Sequence, residues 1–313
     1  MEWQTKITPD SNGLSISHAD KILSLGSCFA ENMGQYFLRY GFSSQINPFG
    51  ILFNPVSIAN SLFRVLRNEE IREPDLIFHD GLWHSHLHHG SFSQENKEDC
   101  LKACNDAITS SHSFLKQTDI LVLTFGTSFV YHTREGVAVA NCHKIPATEF
   151  TKHLYNVDEI VSLYETLIPA LRAHNPKLKI LFTVSPVRHW KDGYRENQLS
   201  KSILHLAVDK LQSLFSFVYY FPSYEIVIDE LRDYRFYAED MLHLTKTTVD
   251  YIWKQFSETY FSSETRAIIS DVEKFRKMEE HRPLNRNSEQ EHCLKVTTKR
   301  ELLLKTYPFL ELQ

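Results

Sequence analysis

Between Lys21 and Gly26 the chain is almost wholly apolar (Lys-Ile-Leu-Ser-Leu-Gly), and beyond Ser27-Cys28 the spacing changes. Phe29, Met33 and Phe37 recur at helical intervals, with Tyr36 and Tyr40 beside them, so the pattern predicts a strand, a tight turn and a helix ending near Gly41. Asn54-Pro55, a capping residue followed by proline at the first helical position, predicts a second helix running through Leu66. Thr118 to Gly126 and Lys177 to Ser185 are near-continuous apolar runs, the pattern of strands buried on both faces of a parallel sheet. A helical pattern from Val157 to Ala173 separates them, giving a βαβ unit with a right-handed crossover. Leu199 to Phe215 reads as a helix, Phe217 to Phe221 as a strand, and Thr245 to Tyr260 as a helix. This alternation predicts a doubly wound α/β sandwich of three layers around a parallel sheet.

From Ser262 the pattern changes. Glu273 to Arg282 is rich in charge, Asn285 to Glu291 is polar, and the remainder is weakly amphipathic. No Gly/Ser linker precedes this tail, so the expectation is an α/β domain over 1–261 and a helical extension over 262–313 packed on it. No internal repeat or low-complexity segment is visible.

Composition narrows the class. The 313 residues are 42% hydrophobic and 23% charged, enough apolar material for a sizeable core and far from a disordered tail. Lys plus Arg number 34 against 39 Asp plus Glu, and the net charge of −5 argues against a nucleic-acid or polybasic membrane partner. The start, Met1-Glu-Trp-Gln-Thr-Lys, has no apolar signal core, and no stretch is long and apolar enough for a bilayer. Five sparse cysteines (Cys28, Cys100, Cys104, Cys142, Cys293) argue against a disulfide framework, so a cytoplasmic location with reduced thiols is the expectation.

In open α/β sheets, ligands gather at the carboxyl ends of the strands. Four segments bring reactive groups there: Gly26-Ser27-Cys28, Gly126-Thr127-Ser128, Ser185-Pro-Val-Arg188-His189 and Glu239-Asp240-Met-Leu-His243. Asp240 stands three residues before His243 and just ahead of a helix, a spacing that lets the carboxylate hold one imidazole nitrogen while the other faces a nucleophile. The first strand end would supply that nucleophile.

Gly26-Ser27-Cys28-Phe29-Ala30 resembles the signature of the GSCFA family, which is similar in turn to the SGNH (GDSL-type) esterase superfamily. Asp240-Met-Leu-His243 resembles that superfamily's second signature, and Asn141-Cys-His-Lys144, Ser185-Pro-Val-Arg-His189 and His281-Arg-Pro283 also look like segments of the family. The resemblance implies a flavodoxin-like parallel sheet and an ester hydrolase that needs no cofactor. It places Cys28 where the superfamily carries its nucleophilic serine, with Ser27 as the alternative nucleophile, His243 as base and Asp240 as its orienting partner. It puts Ser128 in place of the oxyanion-binding asparagine, Phe129 in place of the following aspartate, and Gly50 as the candidate oxyanion-hole glycine. A thiol at a helix N-terminus beside an imidazole is expected to have a lowered pKa and to form an acyl-thioenzyme.

Around these residues, Arg188 and His189 would contact an anionic or sugar-like substrate, and Asn141, His143 and Lys144 would line the site, with Asn197 and Lys201 as weaker candidates. The substrate expected is a small-molecule or carbohydrate ester; sequence leaves the oligomeric state open. Two other classes stay open: an acyltransferase, and a non-catalytic carbohydrate- or metabolite-binding protein with a degenerate site. A metal-dependent enzyme is a further rival, because in an extended segment His84, His86 and His88 would share one face. That run of histidines, through His89, matches no recognised metal spacing and reads better as a hairpin or loop near the pocket.

Overall fold

Strand β1 (Ile22–Gly26), buried at all five positions, leads into α1 (Cys28–Arg39), β2 (Ser44–Ile46) and α2 (Pro55–Arg67). A hairpin follows, β3 (Leu76–His79) and β4 (Leu82–Ser85), then α3 (Lys97–Leu115) and β5 (Ile120–Phe125). β6 (Phe129–Thr133), β7 (Ala138–Val139) and β8 (Phe150–Leu154) make a small antiparallel sheet ahead of α4 (Val157–His174) and β9 (Lys179–Val184). α5 (Tyr194–Leu214), β10 (Val218–Phe221) and the single turn α6 (Ser223–Glu225), prolonged by a wide turn over Ile226–Leu231, precede α7 (Lys246–Tyr260), α8 (Ser263–Glu280) and α9 (Arg286–Thr306). This computed structural model describes residues 5–281 and 286–312. Arg282 and Pro283 of the His281-Arg-Pro283 segment lie outside the described residues.

The central sheet has five strands in the order β10-β9-β5-β1-β2, every neighbouring pair parallel. Counting its strands along the chain, this is the order 2-1-3-4-5, the flavodoxin-like arrangement. Side chains alternate across it. Leu23, Leu25, Leu121, Leu123, Ile180 and Phe182 face a core built with α2, α3, α4 and α5, through Ile58, Leu62, Ile108, Ile168 and Leu204 among others. Ile22, Ile120, Val122 and Leu181 face the opposite core, built with Phe29, Met33 and Phe37 of α1, Trp253 and Phe256 of α7, and Val272 and Phe275 of α8. Burying each such side chain contributes about 1.5–3 kcal/mol, and covering both faces forces the three layers. The fold is therefore the three-layer α/β sandwich that the apolar pattern predicts.

The tail shares the second core instead of standing apart. Arg39 pairs with Glu273 and Glu280 of α8, Leu303 of α9 is buried in the same cluster, and the Glu311 N–H donates to the Gly41 carbonyl at 3.0 Å. Among the described residues no helix is long and apolar enough to cross a membrane. One boundary differs from expectation: α5 begins at Tyr194, not Leu199, because Gly193 adopts a φ of +96° that turns the chain directly into the helix. Its first turn, Tyr194-Arg-Glu-Asn-Gln, is too polar to show the helical period.

Gly26 is where the sheet meets the site, and a Cβ placed there would lie 2.4 Å from the Thr124 carbonyl oxygen. Gly26→Ala is expected to push β1 and β5 apart and cost about 1–3 kcal/mol, the usual range for overpacking. A urea unfolding curve that matched wild type would show the strand ends to be looser than this.

Candidate active site at the carboxyl edge of the sheet

β1 stops at Gly26, and Ser27 caps α1, its Oγ accepting from the Phe29 N–H at 3.3 Å. Ser27 is only 1% exposed, whereas Cys28, the first helical residue, is half-buried and open to one side. The two candidate nucleophiles are thus separated: the serine hydroxyl is spent on capping, and the thiol is not. The loop is fastened from beneath by Asn47, whose Oδ1 accepts from the Gly26 N–H and whose Nδ2 donates to Glu31, both at 2.9 Å. Leu52 donates to the Gly26 carbonyl at 2.9 Å, and the Phe53 carbonyl accepts from the N–H groups of Gly126 and Thr127. Residues 47–53 therefore lie across the ends of β1 and β5 and stitch them together.

Asp240 and His243 form a local unit. One carboxylate oxygen of Asp240 accepts from the Leu242 and His243 N–H groups at 2.9 Å each, and the other bonds His243 Nδ1 at 2.6 Å. Met241 adopts a φ of +59° to close the turn, and the Ala238 N–H donates to the His243 carbonyl at 2.8 Å. The His243 side-chain hydrogen bond, followed by the two amides, holds the Asp240 carboxyl down to about 2, so it is ionised at neutral pH. An ionised carboxylate only accepts, so Nδ1 carries the proton toward it and Nε2 is the nitrogen placed to act as base.

Cys28 meets a different environment from the one its sequence position suggests. Burial pushes its thiol up; the N–H groups of Phe29 and of Cys28 itself pull it down, as does Lys201, while Asp240 raises it. The expected lowering by the helix terminus and an imidazole is corrected here: desolvation outweighs it, and no hydrogen bond joins Sγ to His243. Lys201 is fully enclosed, donating to the carbonyls of Gly126 and Ser185 at 2.6 Å each. His189 takes its position from Asn197, whose Oδ1 accepts from the His189 N–H at 2.9 Å. Its ring lies over Gly126 and edge-on to Phe53, where burial drives its pKa down to about 3 and keeps it neutral.

Other expected residues are placed elsewhere. The Gly50 N–H is committed to the Asn47 carbonyl at 2.7 Å, closing a turn packed against His89, so it is not a free oxyanion donor. Ser128 is fully buried, and its hydroxyl has no partner. Its own amide donates to Ser200 Oγ at 2.7 Å, which turns this segment toward α5. His143, with a φ of +50°, bonds the Ser85 carbonyl at 2.8 Å and stacks on His84, and none of its contacts is to the loops at Cys28 or Asp240. Arg188 is half-buried beside His189 and has no hydrogen bond or ion pair among the described residues. It edges a cleft of about 320 Å³ with Arg232, Tyr234 and Tyr237.

The histidine run does not stay extended. Asp80-Gly81 turns the β3–β4 hairpin, and the strand ends at Ser85, so only His84 lies on it. Both ring nitrogens of His84 are engaged, by Ser93 Oγ at 2.6 Å and the His79 carbonyl at 3.0 Å. His88 is stacked on Phe49 and tilted against Phe92, with its Nδ1 on Ser85 Oγ at 2.9 Å. Among the described residues no three His, Cys, Asp or Glu side chains are grouped to hold a metal ion. Cys100 and Cys104, also paired by spacing, are both buried and free on the inner face of α3.

Sequence reasoning missed Asn47, although Asn-Pro followed by Gly50 is a turn signal, and it undervalued Lys201, which resembles any solvated lysine of a helix's first turns.

The buried histidines give an acid dependence with a definite sign. His88, 0% exposed, is driven down to about 3 mainly by burial, so below the ordinary imidazole pKa the unfolded chain takes up a proton that the folded chain refuses. Stability from this residue is complete above about pH 6.5 and falls toward the folded value, with a limiting slope of about 1.4 kcal/mol per pH unit. Urea midpoints measured at pH 7 and 5 should separate in wild type and separate less in His88→Phe, where His143, His189 and His205 still refuse the proton; equal separations in both would remove His88 as a cause.

Comparison with known proteins follows from this geometry. No curated protein matches the sequence. Among solved structures, a carbohydrate esterase family 3 protein from Talaromyces cellulolyticus is 12% identical, with a TM-score of 0.37, over 80% of this chain and 99% of that one. A Clostridium thermocellum family 3 carbohydrate esterase is 11% identical, with a TM-score of 0.36, over 81% and 98%. An acetyl esterase mutant solved with acetate ion is 13% identical, with a TM-score of 0.36, over 81% and 99%. Likenesses this weak bear no load, and the architecture rests on strand order and burial. The model of the GSCFA family matches residues 21–256, from the start of β1 into α7 and across every loop of the candidate site, and the chain belongs to the GSCFA family.

Proposed function

We propose that this protein is an ester hydrolase for small acyl groups, with Cys28 as nucleophile, His243 as general base and then acid, and Asp240 as the carboxylate that orients it. The observation that carries this reading is the Asp240–His243 pair, locked at 2.6 Å with the base nitrogen free, on the same sheet edge as a half-buried thiol at a helix N-terminus. The thiol sulfur attacks the acyl carbon while its proton passes to His243 Nε2, and the leaving alkoxide takes that proton as the C–O bond breaks. Water, deprotonated by His243, then attacks the acyl-thioenzyme; the C–S bond breaks, the thiol is restored and the carboxylic acid leaves. The Cys28 N–H, at the first position of α1, stands as an oxyanion donor. With the Gly50 amide committed and the Ser128 hydroxyl enclosed, the hole has fewer donors than the superfamily pattern, and each missing donor costs about 10²–10³ in rate.

The substrate we assign is an acylated carbohydrate. Arg188, with no hydrogen bond or ion pair among the described residues, and the rings of Tyr234 and Tyr237 flank a cleft next to the His189 and His243 loops, a lining suited to hydroxyls and sugar faces. Water as acceptor makes a hydrolase, and a second hydroxyl would make an acyltransferase. The thin oxyanion hole is the observation that favours the other reading, a non-catalytic carbohydrate-binding protein. Five free cysteines, including the reacting one, suit the reducing cytoplasm.

The test is p-nitrophenyl acetate hydrolysis, corrected for spontaneous acylation of surface groups. Cys28→Ala and His243→Ala should each fall by about 10³-fold or more while folded, and Ser27→Ala should keep most of the rate. Equal, background-level rates in wild type and all variants would transfer the site to the binding reading.

A further inference from the structure

A cleft of about 710 Å³ opens between α1, the start of α7 and the later turns of α8, and its two long walls begin at the two halves of the candidate site. Along α1, Cys28, Asn32, Gln35 and Arg39 recur at helical intervals, so the thiol heads the same stripe that walls the cleft. Opposite, the chain leaving His243 contributes Leu244 and then, from α7, Lys246 and Asp250, one turn apart. From Cys28 to Arg39 the helix rises about 16 Å, longer than one sugar ring.

The lining is polar but electrically balanced. Arg39 pairs with Glu273 at 3.4 Å and also with Glu280, Lys246 with Asp250 at 3.0 Å, and Lys277 with Glu273 at 3.7 Å. Three cations thus meet three carboxylates among the described residues of the lining, and no charge is left over for an ionic ligand. The Tyr36 hydroxyl donates to Asp250 and the Tyr40 hydroxyl to Glu273 at 3.0 Å, which fixes the carboxylates and leaves lone pairs on them to accept from a ligand. Both tyrosine rings stack on Trp253, with centroids 5.1 and 5.8 Å apart, and with Leu244 and Val249 they set an apolar patch among those fixed groups. Such a mixture matches a sugar ring: carboxylates and the exposed amides of Asn32 and Gln35 meet its hydroxyls, and aromatic surface meets its C–H faces.

We propose that the α1–α7 cleft is a second carbohydrate subsite, which takes uncharged sugar units adjoining the one that carries the ester, so that the substrate is a neutral oligosaccharide laid along α1. The cleft beside Arg188 keeps the acylated unit. This deepens the esterase reading and rests on it for the position of the acyl group, but it concerns binding alone and includes no covalent step.

The experiment presents the Cys28→Ala protein to an array of neutral and uronic-acid-containing glycans, from monosaccharides to longer oligosaccharides, and titrates the bound ones by calorimetry. Neutral oligosaccharides should bind, and more tightly than their monosaccharides. Asn32→Trp, at an exposed position that takes part in no ion pair, should obstruct the cleft and weaken that binding about tenfold or more. Asp250→Asn, which leaves Lys246 without its carboxylate and weakens an acceptor, should do the same; if that variant fails to fold, Asn32→Trp decides. No glycan bound, acidic glycans alone bound, or binding that Asn32→Trp leaves unchanged each overturns the proposal, the last by placing the sugar wholly beside Arg188. The esterase reading fails separately: p-nitrophenyl acetate turnover without glycan binding removes the subsite and keeps the esterase, and glycan binding without turnover does the reverse.

Discussion

Five parallel strands that stop at one edge leave backbone N–H and C=O groups there with no ladder to join, and each must find a partner. In this protein two devices meet that need. The segment 47–53 supplies side-chain and main-chain groups to β1 and β5, through Asn47, Leu52 and Phe53. Lys201 supplies two donors to the residues just beyond β5 and β9. Both devices are built around the point where the chain leaves β1 for α1, so the groups that finish the sheet also fix the position of Cys28. Stability and chemistry share the same hydrogen bonds at this edge.

The two halves of the candidate site are held very differently. Cys28 belongs to the rigid body: its helix is capped by Ser27, drawn in by Asn47 through Glu31, and packed through Phe29 and Met33 into the second core. Asp240 and His243 belong to an exposed turn, both with about half of their side-chain surface in solvent, and their geometry is almost entirely internal to four residues. Local bonds orient the imidazole; tertiary packing orients the thiol.

That difference explains what could be read from the sequence. The Asp240–His243 unit was legible because an i,i+3 pair closes on itself, whatever surrounds it. The strands β1, β5 and β9 were legible because burial on both faces leaves an unbroken apolar run. Lys201 was not, since its burial depends on Gly126 and Ser185, residues far away in the chain, and its helix begins with polar residues that hide the inward face. The fate of Gly50 and Ser128 was hidden for a related reason: whether an N–H or hydroxyl is free depends on partners such as the Asn47 carbonyl and Ser200, which no spacing rule names. The histidines from His84 to His89 misled by regular alternation, which implies a shared face only while a strand continues, and β4 ends at Ser85. The thiol's pKa went the opposite way to its helix position because desolvation is a property of the packed molecule.

The turn at 238–243 has a further consequence. It is tied to the body by the Tyr237–Leu244 bridge and the Thr245 N–H to Phe236 carbonyl bond, and Met241 at its tip is left-handed and exposed. A protease that severed the backbone at this tip would release the base from its orientation without disturbing any strand of the sheet. The molecule would remain folded with its thiol in place and its acid–base partner adrift, so architecture and chemistry are separable here by a single cut.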